Sequence, residues 1–199
     1  MKPSEVLSIE DQSLLLQLAR NAIQAAVQKG RKLPTLGTLS PALREKRGVF
    51  VTLWLEGELR GCIGLPYPMK PLGEGSQEAA VSAALEDPRF PAVRFEETPR
   101  LEVEISVLTP PKPIVPEKIR VGVHGLIIRK GTRSGLLLPQ VPMQYRWTRE
   151  EFLRQTCVKA GLPDDAWSAG AELFGFEAQV FSETDLNRRK GSISPPEFP

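Results

Sequence analysis

Residues 48–65 limit the folds open to this chain more than any other segment. Every second residue from 49 to 55 is aliphatic, and a second apolar-rich run follows at residues 59–65 after Glu56-Gly57-Glu58. Alternation with period two turns one face of a strand toward a core, and a short turn between two such runs joins antiparallel neighbours. The segment therefore predicts a β-hairpin and, with it, a fold that contains antiparallel sheet.

Further helices and strands are predicted on both sides of this hairpin. They are a helix at residues 8–29 ended by Gly30, an extended connection at 31–48, a helix at 76–86, a strand at 101–108, a proline-rich connector at 110–116, strands at 120–129 and 135–138, a helix from Thr148 to a stop at Gly161, and a last strand at 173–181. Strands joined mostly by hairpins and mixed with helices in no strict alternation indicate an α+β fold with antiparallel sheets and flanking helices.

The length of 199 residues fits one domain, or two small lobes that share a core. We expect the domain to cover residues 1–183, with its first and last elements packed together, and the tail at 184–199 to be frayed. Ser8 with Asp11, and Thr148 with Glu151, resemble the capping boxes that begin helices.

Side chains that bind metals or act as nucleophiles are scarce in this chain. It has two cysteines, Cys62 and Cys157, and one histidine, His124. A structural zinc site takes about four Cys or His ligands and a facial-triad iron site takes two His, so we predict no metal site. The phosphate-binding, dinucleotide-binding and nucleophile-elbow motifs are also missing, and no cofactor is predicted.

Charge and hydropathy restrict the location and the partners of the chain. The 26 Lys and Arg against 24 Asp and Glu are too balanced for a strongly electrostatic nucleic-acid binder, so any contact with nucleic acid must be local. No secretory signal is visible at residues 1–10, and no apolar run is long enough to span a bilayer. We expect a cytoplasmic protein in which both cysteines are free thiols and no membrane is a partner.

The hexapeptide Leu59-Arg60-Gly61-Cys62-Ile63-Gly64 carries the main candidate for chemistry. The two glycines allow positive φ or the close approach of another molecule, and they leave the sulfur unshielded. In a regular strand Arg60 shares a face with Cys62, where its charge would favour the thiolate. This predicts a reactive, accessible thiol. The alternative is that Cys62 is a small buried hydrophobe and that the glycines form a bulge.

Two further segments carry candidate site residues. His124 is predicted within a strand, either as a base for Cys62 or a ligand contact, or as a polar residue facing solvent or bonded in a turn. Asp87-Pro88-Arg89-Phe90-Pro91 is a rigid turn in which Arg89 and Phe90 could meet an anion and a ring, or in which Asp87 and Arg89 tether the loop by a salt bridge. Cys157 is expected on the apolar face of a helix, packed in the core.

The hexapeptide resembles the hallmark motif of the AMMECR domain family. Further matches follow in the family's order at Asp87-Pro88-Arg89-Phe90, residues 101–108, His124-Gly125-Leu126, Leu138-Pro139-Gln140-Val141, Trp147-Thr148 and Lys159-Ala160-Gly161. The resemblance runs from the first helix to Phe181. It departs at Gln140, where the family commonly has an acidic residue, which argues against a catalytic carboxylate at that position.

The resemblance implies a two-lobed α+β fold, with a cleft between a larger and a smaller lobe and the hexapeptide near that cleft. The family has no established reaction. Its microbial genes are associated with those of Memo-like proteins and radical S-adenosylmethionine (SAM) proteins, which implies such a protein, and nucleic acid, as partners in base modification.

Two functions of different kinds follow from these observations. The first is an enzyme that uses Cys62 as nucleophile, with Arg60 tuning the thiol, His124 as base, and a binding set of Arg60, Gly61, Gly64, Asp87, Arg89 and Phe90. The second is a non-catalytic domain whose hexapeptide shapes a cleft for a ligand or a protein strand. Redox sensing is less attractive because no resolving cysteine lies nearby. We favour the enzyme, with an unknown reaction and an unknown oligomeric state.

Overall fold

The structure of the protein, a computed structural model, describes residues 6–28 and 37–191. The predicted end of the first helix at Lys29 and Gly30, the start of the predicted connection at residue 31 and the tail from residue 192 lie outside the described residues. The helices and strands are α1 (Ile9–Val27), α2 (Pro41–Arg44), β1 (Val49–Leu55), β2 (Glu58–Leu65), α3 (Leu72–Leu85), β3 (Leu101–Leu108), β4 (Lys112–Pro113), β5 (Gly125–Lys130), β6 (Arg133–Leu137), α4 (Gln140–Gln144), α5 (Arg149–Lys159), β7 (Glu172–Phe176), β8 (Ala178–Ser182) and α6 (Glu183–Gly191).

The chain divides into two compact units. Residues 108–178 form the second unit, and the described residues before and after that range form the first. One sheet has the strand order β2-β1-β3-β8 and the other has the order β4-β7-β5-β6. β1 pairs antiparallel with β2 and β3, and β7 pairs antiparallel with β4 and β5. The predicted α+β class with antiparallel sheets is confirmed. Among the described helices, none combines the length and apolarity needed to cross a bilayer.

The core of the first unit lies between its sheet and two helices. α1 packs on α3, and α3 packs on β1 and β2. The cluster includes Leu15, Ala19, Ile23, Val51, Leu53, Ala80, Val103 and Ile105, all buried. The predicted cap of α1 is confirmed, since the Ser8 hydroxyl accepts a hydrogen bond from the Asp11 N–H at 3.1 Å. The Ala and Leu residues on one face of α1 pack in this core.

The predicted hairpin is confirmed, and its turn consists of two residues. Glu56 and Gly57 both have positive φ, 54° and 86°, which is the backbone that joins twisted antiparallel strands by a two-residue turn. Along β2 the pairing with β1 shifts by one residue, because Leu53 pairs with Gly61 while Trp54 pairs with Leu59. Arg60 is the extra residue of this β-bulge.

Several predicted boundaries in the first unit are wrong. α3 begins at Leu72 rather than at residue 76, since Leu72 is buried in the core and its N–H donates to the Glu45 carbonyl at 2.9 Å. The predicted extended connection contains α2, begun by the Ser40 hydroxyl. The described part of the predicted frayed tail is α6, whose Leu186 is buried. α6, which the sequence did not predict, contacts α1.

The second unit also departs from the predicted boundaries. The predicted strand at residues 120–129 begins only at Gly125, and residues 121–123 form a turn in which Gly122 has φ of 80°. His124 therefore lies just before β5 and not within a strand. The predicted last strand is two strands that belong to different sheets and are separated at Glu177. Glu177 leaves the ladder because its backbone exchanges hydrogen bonds with Thr109 instead, both at 2.9 Å.

α5 of the second unit follows the prediction closely. The Thr148 hydroxyl accepts a hydrogen bond from the Glu151 N–H at 3.2 Å, and Gly161, with φ of 67°, follows the last turn. Cys157 is fully buried on the apolar face of this helix, as expected. Burial raises the pKa of the Cys157 thiol, which makes this thiol a poor nucleophile at neutral pH.

Candidate functional site

Cys62 lies within β2, on the face of the sheet that points away from α3. Gly61, its neighbour, faces α3, and successive side chains of a strand point to opposite faces. The Cys62 side chain is half-buried and its sulfur is a free thiol. Cys62 thus lies in the second strand of the predicted hairpin.

Gly61 and Gly64 are required for space rather than for unusual backbone angles. Neither is among the residues with positive φ in the described chain. A Cβ on Gly61 would collide with the backbone carbonyl oxygen of Ala83 in α3, and a Cβ on Gly64 would collide with the Phe50 ring on β1. Gly61 therefore lets α3 lie close against β2, and Gly64 leaves room for Phe50 on the Cys62 face.

The peptide groups of Cys62 are held by an ion pair at the end of the sheet. β2 is the first strand in the sheet order, so one side of it has no neighbouring strand. On that side the Cys62 N–H donates to Asp87 Oδ2 at 2.8 Å, and Arg89 Nη2 donates to the Cys62 carbonyl at 3.3 Å. Asp87 and Arg89 also bind each other, with Nη2 and Oδ2 2.7 Å apart. The N–H and the carbonyl of Cys62 are thus both hydrogen-bonded, which fixes the backbone of this residue.

Asp87 is an ionised carboxylate across the ordinary pH range. Hydrogen bonds from the Arg89 guanidinium, and from the N–H groups of Cys62 and Arg89, hold its pKa well below the usual value, although its side chain is only 2% exposed. The Asp87 carboxylate in turn raises the pKa of Arg89, and the Cys62 side chain adds a smaller contribution of the same sign. The contact of Arg89 with Cys62 is the hydrogen bond from Nη2 to the Cys62 carbonyl.

The sequence suggested a contact between Arg60 and the Cys62 sulfur. In the structure Arg60 contacts Glu97. Its Nε lies 2.9 Å from Glu97 Oε1, and Nη1 donates to the Pro91 carbonyl at 2.8 Å. The β-bulge at Arg60 breaks the regular alternation on which that expectation depended. Arg89, not Arg60, donates to the Cys62 carbonyl.

Phe90 and Arg60 both line an open pocket beside this ion pair. The pocket has a volume of about 350 Å³ and is lined by Arg60, Phe90, Pro91, Ala92, Arg94 and Glu97. The Arg89 guanidinium carbon lies 5.4 Å from the centre of the Phe90 ring. Arg94 is 79% exposed, and its nearest carboxylate oxygen on Glu97 is 3.6 Å away. The pocket therefore combines a ring with a cation that solvent reaches.

Cys62, Thr52 and Glu104 form a row across β2, β1 and β3. Thr52 pairs with Cys62 on one side and with Glu104 on the other. Thr52 Oγ1 donates to Cys62 Sγ at 3.3 Å. Because Cys62 directs its N–H and carbonyl away from β1, its pair with Thr52 is the non-hydrogen-bonded kind, in which side chains come closest.

Glu104 holds its proton more tightly than an ordinary glutamate. Burial is the largest cause and raises the pKa of Glu104. A hydrogen bond from Trp54 lowers this pKa, and the nearby negative charges of Glu102 and Asp185 raise it. A carboxyl of this kind is a candidate acid–base group. The sequence analysis predicted the strand at 101–108 but singled out neither Glu104 nor Thr52.

His124 is held in the turn before β5. Its Nδ1 accepts a hydrogen bond from the Arg120 N–H at 3.1 Å, and its own N–H donates to the Arg120 carbonyl at 3.0 Å. Burial, followed by the charge of Arg120, lowers the pKa of His124. A neutral imidazole with Nδ1 as acceptor carries its proton on Nε2, so no lone pair is left free to act as a base in this arrangement. The pairing of His124 with Cys62 stays a prediction.

Comparison with known proteins identifies the family. A family model described as AMMECR1 matches residues 16–181, from within α1 to within β8, and this range includes Cys62, Asp87 and Arg89. The chain belongs to the AMMECR1 family. The resemblance read from the hexapeptide and the motifs that follow it is confirmed.

Similar AMMECR1-family chains come from several archaea. Protein MK0488 of Methanopyrus kandleri is 50% identical over 192 residues, covering 91% of this chain and 92% of that protein. A Thermococcus gammatolerans protein is 51% identical over 181 residues, covering 85% of this chain and 88% of its own length. The crystal structure of the uncharacterized protein PH0010 from Pyrococcus horikoshii is similar with a TM-score of 0.83 at 45% identity, covering 92% of this chain and 96% of that chain.

Proposed function

We propose that this AMMECR1-family chain is an enzyme that uses the Cys62 thiol as a nucleophile. The observation that carries the proposal is the environment of Cys62, whose two peptide polar groups are held by Asp87 and Arg89 while its half-buried sulfur accepts a hydrogen bond from Thr52. A nucleophile works best when its backbone is held in place. A thiol of this kind must also stay reduced, which fits the cytoplasmic location expected from the sequence.

The site also presents the sulfur to a molecule outside the chain. The Cys62 side chain is half-buried rather than buried, while the Phe50 ring fills the space over Gly64. A small electrophile can therefore approach the sulfur from the face that carries Thr52. Cys62, Arg89 and Thr52 all belong to the first unit of the chain.

The test is the rate of alkylation of Cys62, with Cys157 as the matched control in the same chain. Iodoacetamide is added at neutral pH, and the modification of each cysteine is followed by mass spectrometry of its peptide. We expect Cys62 to react at least about tenfold faster, because it is more exposed and the pKa of Cys157 is raised by burial. Equal rates for the two thiols would overturn the proposal.

A nucleobase is the substrate class that the family resemblance suggests. In this proposal the Phe90 ring and the exposed Arg94 hold the base and a phosphate, with a Memo-like or radical SAM protein as partner. A single-stranded oligonucleotide is then expected to slow the alkylation of Cys62, and Arg94→Ala is expected to weaken that protection. Alkylation that is unchanged by the oligonucleotide would argue for a different substrate.

The second candidate is a non-catalytic binding domain, and it is favoured by the contacts of Asp87. The carboxylate is fully used in holding the Cys62 backbone and the Arg89 side chain, which is also what a structural tether does. Cys62→Ser separates the two functions. A folded Cys62→Ser chain that keeps its full cellular function would support the binding domain, whereas loss of function with an unchanged melting temperature supports the enzyme.

A further inference from the structure

The row of Cys62, Thr52 and Glu104 brings a second reactive group to the face that carries the sulfur. The three side chains occupy directly paired positions on neighbouring strands. A non-hydrogen-bonded pair and a hydrogen-bonded pair add up to about 10 Å between the Cα atoms of Cys62 and Glu104. Glu104 is thus too far away to bind the sulfur, and the space between the two side chains lies over Thr52.

The Thr52 hydroxyl lies between Cys62 and Glu104 in this row, and its oxygen Oγ1 contributes to the site. It donates to the Cys62 sulfur at 3.3 Å, so the middle of the row is already used in holding the nucleophile. A substrate attacked by the sulfur would extend across this hydroxyl toward β3. The atom that leaves would then come within reach of the carboxyl at position 104.

Glu104 has the properties of a proton donor. Burial, together with the charges of Glu102 and Asp185, raises its pKa, so more of it is protonated near neutral pH than of an exposed glutamate. Its hydrogen-bond partner Trp54 stands on the same face of β1 and orients the carboxyl. The lone pair of His124 Nδ1 is occupied by Arg120, which leaves the acid–base step to another group.

We propose that Glu104 is the acid–base residue of the Cys62 site and gives its proton to the leaving atom of an electrophile that lies over Thr52. This inference rests on the proposed function of Cys62 as a nucleophile. It adds a catalytic residue that neither the motifs of the chain nor its relatives assign.

With an ester as the electrophile, the Cys62 thiolate attacks the carbonyl carbon and an S–C bond forms. The C–O bond breaks, its electron pair stays on the leaving oxygen, and that oxygen takes the proton of Glu104. Water then attacks the thioester and gives a proton back to the Glu104 carboxylate. The S–C bond breaks, the acid is released, and the thiolate returns. Ester and water are the only reactants consumed.

The experiment compares two acetyl esters that leave the same acetyl group on Cys62. p-Nitrophenyl acetate has a leaving group that departs without a proton, whereas phenyl acetate releases a more basic phenolate that needs one. The full chain is treated with each ester, and acetylation of the Cys62 peptide is timed by mass spectrometry. Glu104→Gln is compared with Glu58→Gln, a matched variant of an exposed glutamate at the start of β2.

We expect Glu104→Gln to slow the phenyl acetate reaction about tenfold and to leave the p-nitrophenyl acetate reaction unchanged. Glu58→Gln should leave both reactions unchanged. If Glu104→Gln slows neither reaction, or slows both equally, the inference is overturned while Cys62 remains a nucleophile. If Cys62 reacts with p-nitrophenyl acetate no faster than Cys157, the proposed function fails and this inference fails with it.

A second variant covers the case in which Glu104→Gln does not fold. Glu104→Asp keeps the acid but withdraws it by one methylene, and it is expected to show an intermediate loss with phenyl acetate only. Melting temperatures of all variants are measured alongside. A folded Glu104→Asp chain that matches the original chain with both esters would contradict the role of Glu104.

Discussion

At the scale of single residues, Gly61 and Cys62 are neighbours with opposite requirements. Gly61 faces α3 at a distance that admits no side chain, while Cys62 faces the other side of the sheet, where solvent reaches it in part. The glycine is needed for the packing of a helix, and the cysteine is available for chemistry. Variation at the two positions should therefore affect different properties of the protein.

Gly61→Ala is expected to lower the free energy of unfolding by about 3 kcal/mol. The added Cβ meets the backbone carbonyl oxygen of Ala83, which cannot rotate away, so α3 and β2 must move apart. Gly37→Ala is the control, since a Cβ there meets nothing within 4 Å and φ is not positive. Urea unfolding of both variants measures the effect, and equal stabilities of the two would contradict it.

At the scale of elements, the 3-10 helix at Phe95–Arg100 is tied to β2 by a largely buried ion pair. Arg60 is 12% exposed and Glu97 is 7% exposed, and Glu97 also accepts a hydrogen bond from the Arg94 N–H at 2.8 Å. The hydrogen bonds of Arg60 lower the pKa of Glu97 to about 2. This contact stabilises the fold only while the carboxylate is ionised.

Glu97→Gln is expected to change how stability depends on pH. The folded pKa of Glu97 lies below its ordinary value of 4.5, so its stabilisation is present above that value and is lost as the pH falls toward about 2. In Glu97→Gln the decline over this range is shallower, and stability near neutral pH is lower by on the order of 3 kcal/mol because Arg60 loses its partner.

Urea unfolding at a series of pH values measures the effect of Glu97→Gln. Glu96→Gln, at an exposed position on the same 3-10 helix, is the control and should follow the original chain. Asp87, whose pKa is also lowered, contributes a decline that all three chains share. Superimposable pH profiles for the two variants would count against the role of Glu97.

The sequence predicted elements better than it predicted contacts between them. β3 was predicted with its observed bounds, and the Thr148 cap of α5 was predicted as well, because alternation and capping are local patterns. The row of Cys62, Thr52 and Glu104 depends on the register between β1 and β3, which local patterns do not contain. The contact of Arg60 with Glu97 could not be predicted for a related reason, since one extra residue in a strand changes which side chains share a face.

At the scale of the whole molecule, Glu183 joins the two ends of the first unit. Its carboxylate binds Arg20 in α1 and accepts a hydrogen bond from the Val103 N–H of β3 at 3.0 Å. Arg20 also donates to the carbonyls of Thr98 and Leu101 at 3.0 and 2.6 Å. The first and last elements and the central sheet thus meet at one ion pair. The inter-lobe cleft implied by the family resemblance stays a prediction.

Glu183→Gln is expected to destabilise the chain by on the order of 2 kcal/mol, because it weakens contacts to α1 and β3 together. The matched comparison is Glu78→Gln, which removes the ion pair with Lys70 between side chains that are 44% and 46% exposed. That change should cost about 0.5 kcal/mol or less. Thermal unfolding distinguishes the two, and an equal loss for both would contradict the special position of Glu183.

The ion pair of Asp87 and Arg89 has a consequence for how this protein behaves in a crowded solution. A strand at the border of a sheet offers unused donors and acceptors that can recruit a strand from another molecule, which leads to aggregation. At Cys62 a carboxylate and a guanidinium supply the acceptor and the donor that such a strand would bring. The border of the sheet is closed to a second chain at Cys62, although the Cys62 side chain on the face of the same strand is only half-buried.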